Sequence, residues 1–364
     1  MQVIDVDSHV TVTKGLEGTL FQVNVLPDGS HGIEFNRTGL KFTPPNGQFL
    51  RPGKEAISAR VFWDLDRRLD DLDRDGISRQ VLIFHTSHVF YGAERRVAIE
   101  AARKYNDGLA EMIATCKAPA RYMGAAPLPL QDPAAAADEA ERAVKELHMP
   151  VVVIGTNVRG QNLDMPEFWP VFARINELNV PIIIHSDALS PYQTHPAAGD
   201  RTGWSDRGPF TANYPIWWML GHPFEHMIVI ARIIYSGLLD RFPNLTFIFE
   251  EGNVGYAPYL FDRLEEGREF GELLYGPRVH LGGPNKRPLD YLEHFHWAVE
   301  SEDSLIGEVI KRWGAERILF SSDYPHFDTP WPESVHGMKE ALSGFTAADE
   351  AKVMWENAAR LLHL

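Results

Sequence analysis

The chain has 364 residues, 44% of them apolar and 23% charged, the composition of an ordinary globular protein with room for one large core or two domains. Lys and Arg number 35 against 50 Asp and Glu, a net charge of −15, which argues against nucleic acid or an anionic membrane surface as the main partner. The single cysteine, Cys116, excludes an internal disulfide and a thiolate metal cluster, and no apolar run approaches the roughly 18 residues of a membrane span.

Met1, Gln2, Val3, Ile4 and Asp5 have neither the basic nor the apolar region of a secretory leader, so a cytoplasmic protein is expected. Residues 3–7 read as a strand, followed by Ser8, His9 and Val10. Alternation sends Asp5, Asp7 and His9 to one side of it. Residues 11–60 hold no period and are dotted with Gly and Pro. A stretch that long is expected to be an insertion, packed over a pocket mouth or against a partner subunit. Arg37, Lys41, Arg51 and Arg60 could reach a substrate carboxylate from it, although a solvated surface charge is the default for each.

Leu65, Leu69 and Leu72 resume helical spacing, and Gly76 stops it. Residues 79–84 predict a second strand ending at His85, and residues 92–117 a helix. A third strand covers 122–128. Asp132 as N-cap and Pro133 in the first turn start a helix to about 147. Residues 150–155 are apolar throughout, as in a strand buried on both faces. A helix over 165–178 leads to a fifth strand, 181–185, which ends in His185. The long loop 186–223 brings Trp217, Trp218 and His222, which together with His85 are candidates for a pocket wall or lid; its aromatics could equally bury a dimer contact. A helix over 224–241, apolar on most faces, precedes a sixth strand, 245–249, ending in Glu250 and Glu251. A helix over 254–270, a seventh strand over 295–300, a helix over 303–313 and an eighth strand over 317–320 follow. That strand ends in Ser321, Ser322, Asp323, Tyr324, Pro325 and His326, and helices near 332–342 and 347–362 finish the chain.

Eight strands alternating with helices predict an α/β fold: a distorted (β/α)8 TIM barrel with an insertion after strand one and extra C-terminal helices. It is read as one domain over 1–364, with 11–60 and 186–223 over the active-site mouth. A doubly wound open sheet is the alternative, but it calls for a Gly-rich loop after strand one. In a barrel, the ends of strands one, five, six and eight bring Asp7 and His9, His185, Glu250 and Glu251, and Asp323 to one mouth. Imidazole mixed with carboxylate suits a divalent Zn, Mn or Fe ion, with a further carboxylate to move a proton.

The chain resembles the amidohydrolase superfamily, in particular the amidohydrolase-related group that includes aminocarboxymuconate semialdehyde decarboxylases and resorcylate-type decarboxylases. The resemblance runs through Ile4-Asp5-Val6-Asp7-Ser8-His9, Pro181-Ile182-Ile183-Ile184-His185, Ser236-Gly237-Leu238-Leu239-Asp240-Arg241-Phe242-Pro243, Glu251-Gly252-Asn253-Val254-Gly255-Tyr256 and Ser322-Asp323-Tyr324-Pro325-His326. It implies Asp7, His9, His185 and Asp323 as metal ligands. Asp7 replaces the first His of the family's pair, and Glu251 stands where many members have a catalytic His. No Lys follows strand four; Gly155, Thr156 and Asn157 sit there, so the family implies one metal. The acid-rich set Asp7, Glu251 and Asp323 leaves two open. These acids also push the preference from Zn towards Mn or Fe.

The expected activity is metal-dependent, non-oxidative decarboxylation of a small unsaturated or aromatic carboxylic acid, with no organic cofactor. Asp323 or Glu251 would deliver the proton and His326 would assist. The alternatives are a metal-dependent hydrolase of an amide, lactone or thioester with Glu251 as general base, and, more remotely, a ligand-binding barrel without activity. The expected partners are a small-molecule substrate and a second copy in a homodimer.

Overall fold

The computed structural model of the protein describes residues 2–12, 21–25, 31–35, 41–42, 48–49, 55–84, 91, 93–185, 214–275, 286–326 and 328–364. At its centre is a parallel sheet of eight strands: β1 (Ile4–Val10), β2 (Arg79–Phe84), β3 (Tyr122–Pro127), β4 (Val151–Gly155), β5 (Ile182–His185), β6 (Phe247–Phe249), β7 (Phe295–Val299) and β8 (Ile318–Phe320). Each strand pairs with the next in chain order, with no switch point of the kind an open doubly wound sheet needs. The sheet closes on itself. Ser8 bridges to Tyr324, the His9 amide donates to the Tyr324 carbonyl at 2.7 Å, and the Asp323 amide donates to the Asp7 carbonyl at 3.1 Å.

Alternation divides the strand side chains into two cores. Ile4, Val6, Val81, Ile83, Ala125, Val151, Val153, Ile183, Ile248, Ala298 and Leu319 fill the barrel interior. Their neighbours Leu82, Phe84, Val152, Ile154, Ile182, Ile184, Phe247 and Phe249 belong to the layer packed against the helices. Those helices are α1 (Leu65–Asp75), α2 (Arg95–Thr115), α3 (Pro133–Lys145), α4 (Trp169–Leu178), α5 (Tyr214–Tyr235), α6 (Tyr256–Tyr275), α7 (Ile306–Trp313) and α8 (Ser334–Ala341). Local signals set several ends. Asp64 caps α1 by accepting from the Arg67 amide, Gly76 at φ 88° terminates it, and Asp132 caps α3 through the Ala135 amide.

The final helix begins at Ala347–Ala351, passes through a π-helical turn at Lys352–Glu356 and ends at Asn357–Leu361. Its Ala358 and Leu361, with Leu362 beyond them, join the interior cluster. Asn357 Nδ2 donates to the carbonyls of Ala315 and Ile318, at 2.8 and 2.9 Å, at the start of β8. This helix therefore plugs the N-terminal end of the barrel and leaves the C-terminal end for chemistry.

Two sequence expectations change. Within 11–60 the backbone forms a three-stranded antiparallel sheet, Phe21–Val25, His31–Phe35 and Lys41–Phe42, and Gln48–Phe49 pairs with Ile57–Ser58. Strands of two to five residues are too short to establish a visible period between their Gly and Pro turns. The remainder of that insertion, and 186–213, lie outside the described residues, and so does their placement at the mouth. The second change is at α5, which begins at Tyr214, so Trp217, Trp218 and His222 are helical rather than in a loop. Pro223, expected at the end of the loop, is inside the helix, and the helix stops at Tyr235, short of the expected 241, because Gly237 turns left-handed at φ 73°.

His296, in β7, is fully buried, with Nε2 placed 3.2 Å from an Arg317 nitrogen and 3.4 Å from one of Arg360. Burial first, then these guanidinium charges, hold its pKa well below the usual 6.5. The unfolded chain takes up a proton that the native imidazole refuses. This contribution to stability is full above about pH 6.5 and falls by up to about 1.4 kcal/mol per pH unit below it. Urea unfolding of wild type and His296→Gln between about pH 7 and pH 5 measures it. The wild type is expected to lose stability relative to the variant on the acid side; parallel profiles would contradict the burial argument.

Candidate metal centre

β1 delivers the first two site residues through an irregularity. Ile4 and Val6 face the barrel interior, so strict alternation would leave Asp5, Asp7 and His9 together on the other side. The β1–β2 register shifts between Asp5 and Ser8, and the strand beyond the shift turns Asp7 and His9 to the mouth. Asp5 stays behind, which corrects the expectation that all three converge. Its carboxylate accepts from the Ser322 amide, the Ser322 hydroxyl and Gln80 Nε2, at 2.9, 2.5 and 2.7 Å. Two of the other three strand ends use strained backbone: Glu251 after β6 and Asp323 after β8 have φ of 61° and 51°, the left-handed region that side chains disfavour.

His9 Nε2 lies at the centre of the cluster, 3.2 Å from Asp7 Oδ1, 3.2 Å from Glu251 Oε1 and 2.9 Å from Asp323 Oδ1. His185 Nε2 is 3.0 Å from Glu251 Oε1, and His222 Nδ1, from α5, is 3.4 Å from Glu251 Oε2. His326 Nδ1 lies 2.7 Å from Asp323 Oδ1 and 4.0 Å from Glu251 Oε1. Its ring stacks on that of His9 at 4.0 Å between centroids.

The arrangement fits a cation. Both Asp7 carboxylate oxygens and Asp323 Oδ1 are buried without a hydrogen-bond partner among the described residues, although imidazole nitrogens stand close by. Lone pairs that crowd one point without pairing are what a missing positive charge leaves behind. One donor atom from each of His9, Glu251, Asp323 and His326 lies within 4.8 Å of all the others. Ligands about 2.1 Å from one ion sit roughly 3 to 4 Å apart, which is the spacing seen. Nitrogen mixed with carboxylate oxygen suits Zn, Mn or Fe.

Protonation follows the same crowding. Burial would lower the His9 pKa, but the carboxylates of Asp323 and Asp7 hold it well above 6.5. Burial would raise Glu251, but the imidazoles of His185 and His9 hold it well below the carboxylate range, so it is ionised. Asp323 is pushed up to about 8 by burial, against the pull of the neighbouring His9 imidazole. Burial, with the neighbouring His9 charge, lowers His326 to about 4 and keeps it neutral.

The structure therefore brings together Asp7, His9, His185, Glu251, Asp323 and His326, with His222 at the edge. His326, expected to assist the proton or contact the substrate, has a donor atom within this group. Trp217 and Trp218 lie on α5, with side chains outside the described residues, and His85 is also outside them. Three further residues stand beside the cluster: Glu250, expected at the mouth from its strand end, and Glu225 and His226, which were not expected there. Glu250 is fully buried with neither carboxyl oxygen partnered among the described residues, and burial followed by the Asp7 charge keeps its pKa well above normal. Glu225 Oε2 accepts from Thr156 Oγ1, and its i,i+3 spacing from His222 was a readable signal once a helix was known there. His226 packs so closely on Gly252 that a Cβ at 252 would collide with its ring.

The family profile described as Amidohydrolase matches residues 4–364. The chain is 31% identical over 328 residues to a gamma-resorcylate decarboxylase of a Polaromonas species, covering 85% of this chain and 90% of that protein. It is 29% identical over 309 residues to the 2-amino-3-carboxymuconate-6-semialdehyde decarboxylase of Dictyostelium discoideum, covering 83% and 77%. A solved dihydroxybenzoic acid decarboxylase from a Polaromonas species, with bound manganese and the inhibitor 2-nitroresorcinol, aligns with a TM-score of 0.72 at 25% identity, covering 100% of this chain and 97% of that one.

If these donors hold a cation, chelator-treated protein should gain stability on adding Mn²⁺, by about 2.7 kcal/mol at a hundred times the dissociation constant. Thermal unfolding reads the gain, and Asp7→Asn should lose most of it. A wild-type melting curve indifferent to Mn²⁺, Zn²⁺ and Fe²⁺ alike would rule the metal centre out.

Proposed function

This chain belongs to the amidohydrolase family, and from that membership we propose that it is a metal-dependent carboxy-lyase, releasing CO2 without oxidation from a small aromatic or unsaturated carboxylic acid. The observation that carries the reading is one mouth where donor atoms of His9, Glu251, Asp323 and His326 converge within 4.8 Å of one another. Hydrolysis, the alternative, is not favoured, because the relatives named above are decarboxylases.

Asp7, His9, His185 and Asp323 would hold one divalent ion, manganese by analogy with the solved relative, which would supply positive charge to bind substrate oxygens and draw electron density away as the carboxyl group departs. Glu251 is a further donor, and a second ion is the minority arrangement. No organic cofactor is needed. The chain's own groups handle the proton. Asp323, ionised while it holds the ion, would take up a proton from water and hand it on, with His326 Nδ1 beside it at 2.7 Å. As the bond to the carboxyl carbon breaks, its electron pair stays on the substrate carbon and takes that proton, so R–COO⁻ and H⁺ become R–H and CO2. Ionised Glu251 cannot donate first. It holds His185 and His9 in orientation and is available to accept a proton from a substrate hydroxyl.

His222 on α5, 3.4 Å from Glu251, forms part of the pocket in this reading; His85 and the side chains of Trp217 and Trp218, expected with it, lie outside the described residues. Residues 11–60 and 186–223, much of them outside the described residues, would set the substrate in this reading. The protein works as one domain, as a cytoplasmic homodimer.

Asp323→Asn keeps size and removes the proton. CO2 release should fall by about 100-fold to 10000-fold, and product made in D2O by wild type should carry one deuterium at the carbon that lost the carboxyl. Unchanged turnover with metal retained would sink the role given to Asp323. Incorporation of ¹⁸O from water into the product would turn the reading back to hydrolysis.

A further inference from the structure

We propose that Arg68, on α1, is a positioning residue for the metal donors: by gripping both sides of the β1–β8 closure it sets the distance between His9 and Asp323. The inference rests on the metal reading above. Arg68 is fully buried, and among the described residues its fork is bonded to backbone carbonyls. Nη1 donates to the His9 carbonyl at 3.0 Å and Nη2 donates to the Tyr324 carbonyl at 2.8 Å. The first carbonyl belongs to a donor residue, and the second to the residue that follows one. The same Tyr324 carbonyl accepts from the His9 amide at 2.7 Å, so three groups at the closure are locked together.

Tyr324 serves as the platform for this contact. Its ring centroid lies 4.8 Å from the Arg68 guanidinium carbon, and its hydroxyl donates to Asp71 Oδ2 at 2.5 Å, back on α1. Trp331 Nε1 donates to the Asp71 carbonyl at 3.0 Å and closes the ring of contacts. α1 thus holds the segment that carries Asp323 and His326 from below.

The chemistry explains why an arginine is used. A planar fork fixes two acceptors at a set separation, which a lysine ammonium cannot do. Burying a cation is costly, and a residue that only filled space could be apolar. Asp323 holds a left-handed φ of 51°, and such a conformation persists only where the surroundings over-determine it. The two carbonyl grips supply that constraint on either side of the closure.

Mn²⁺ binding by Arg68→Lys, followed by electron paramagnetic resonance and titration calorimetry, tests the role. The lysine keeps the charge and the stem but loses the fork. The folded variant should bind Mn²⁺ about tenfold to a hundredfold more weakly, with an altered spectrum of the bound ion. Leu72→Ala, in the core face of the same helix, lowers the melting temperature without touching the closure and should bind as wild type does. Should Arg68→Lys fail to fold, Tyr324→Phe, which loses only the bond to Asp71, is expected to weaken binding in the same direction. Wild-type affinity in Arg68→Lys overturns the proposal, as does equal weakening in Leu72→Ala. A wild-type chain that takes up no manganese overturns the metal reading itself, which is a separate result.

Discussion

The carboxylate of Asp5 takes hydrogen bonds from the amide and hydroxyl of Ser322 and from Gln80, and the barrel closes around it. These bonds join β1 to β2 and to the end of β8, strands that are more than 300 residues apart in the chain at the widest pairing. Closure in turn places Asp7 and His9 opposite Asp323, because the amide of Asp323 and the carbonyl of Asp7 share a bond across the same line. Removing the closure would leave the donors on two unconnected strand ends. A polar network this deep has value only when its members are satisfied together.

The mouth above that closure is built with more acid than its histidines can balance. Asp7, Glu250, Glu251 and Asp323 stand together, and burial raises Glu250 and Asp323 against ionisation. Glu300 and Asp328 nearby are raised too, by burial first and then by the nearness of Asp323. Holding charge away from water costs several kcal/mol per ion unless it is compensated. A divalent cation is the compensation this donor chemistry suits, and its arrival would drive protons off the ligands. Folding and metal binding are therefore coupled through the same carboxylates.

Fold class was legible because (β/α)8 alternation leaves a strong local signature. Apolar runs such as 151–155 and 182–184 are buried on both faces, and capping residues such as Asp132 mark helix starts without help from distant contacts. The candidate donors were legible for a related reason: a barrel gathers all its strand ends at one mouth, so Asp7, His9, His185, Glu251 and Asp323 could be grouped once the strands were counted. Errors arose where local signals compete. Pro223 reads as a break that ends the loop, but α5 runs through it from Tyr214. Short strands inside 11–60 have too few residues to display a period.

The sequence by itself determined the order of the strands, the capping of the helices and the identity of the acids and imidazoles at the strand ends, because each depends on neighbours within a few residues. The tertiary structure alone decided which side those groups face and what holds them. A register shift between Asp5 and Ser8 separates one carboxylate from the site and sends the next into it. His326 comes to within 2.7 Å of Asp323 through a turn at positive φ, and Arg68 arrives from a helix with no catalytic pattern of its own. These placements depend on contacts across the barrel closure, and no local window of the chain contains both sides of it.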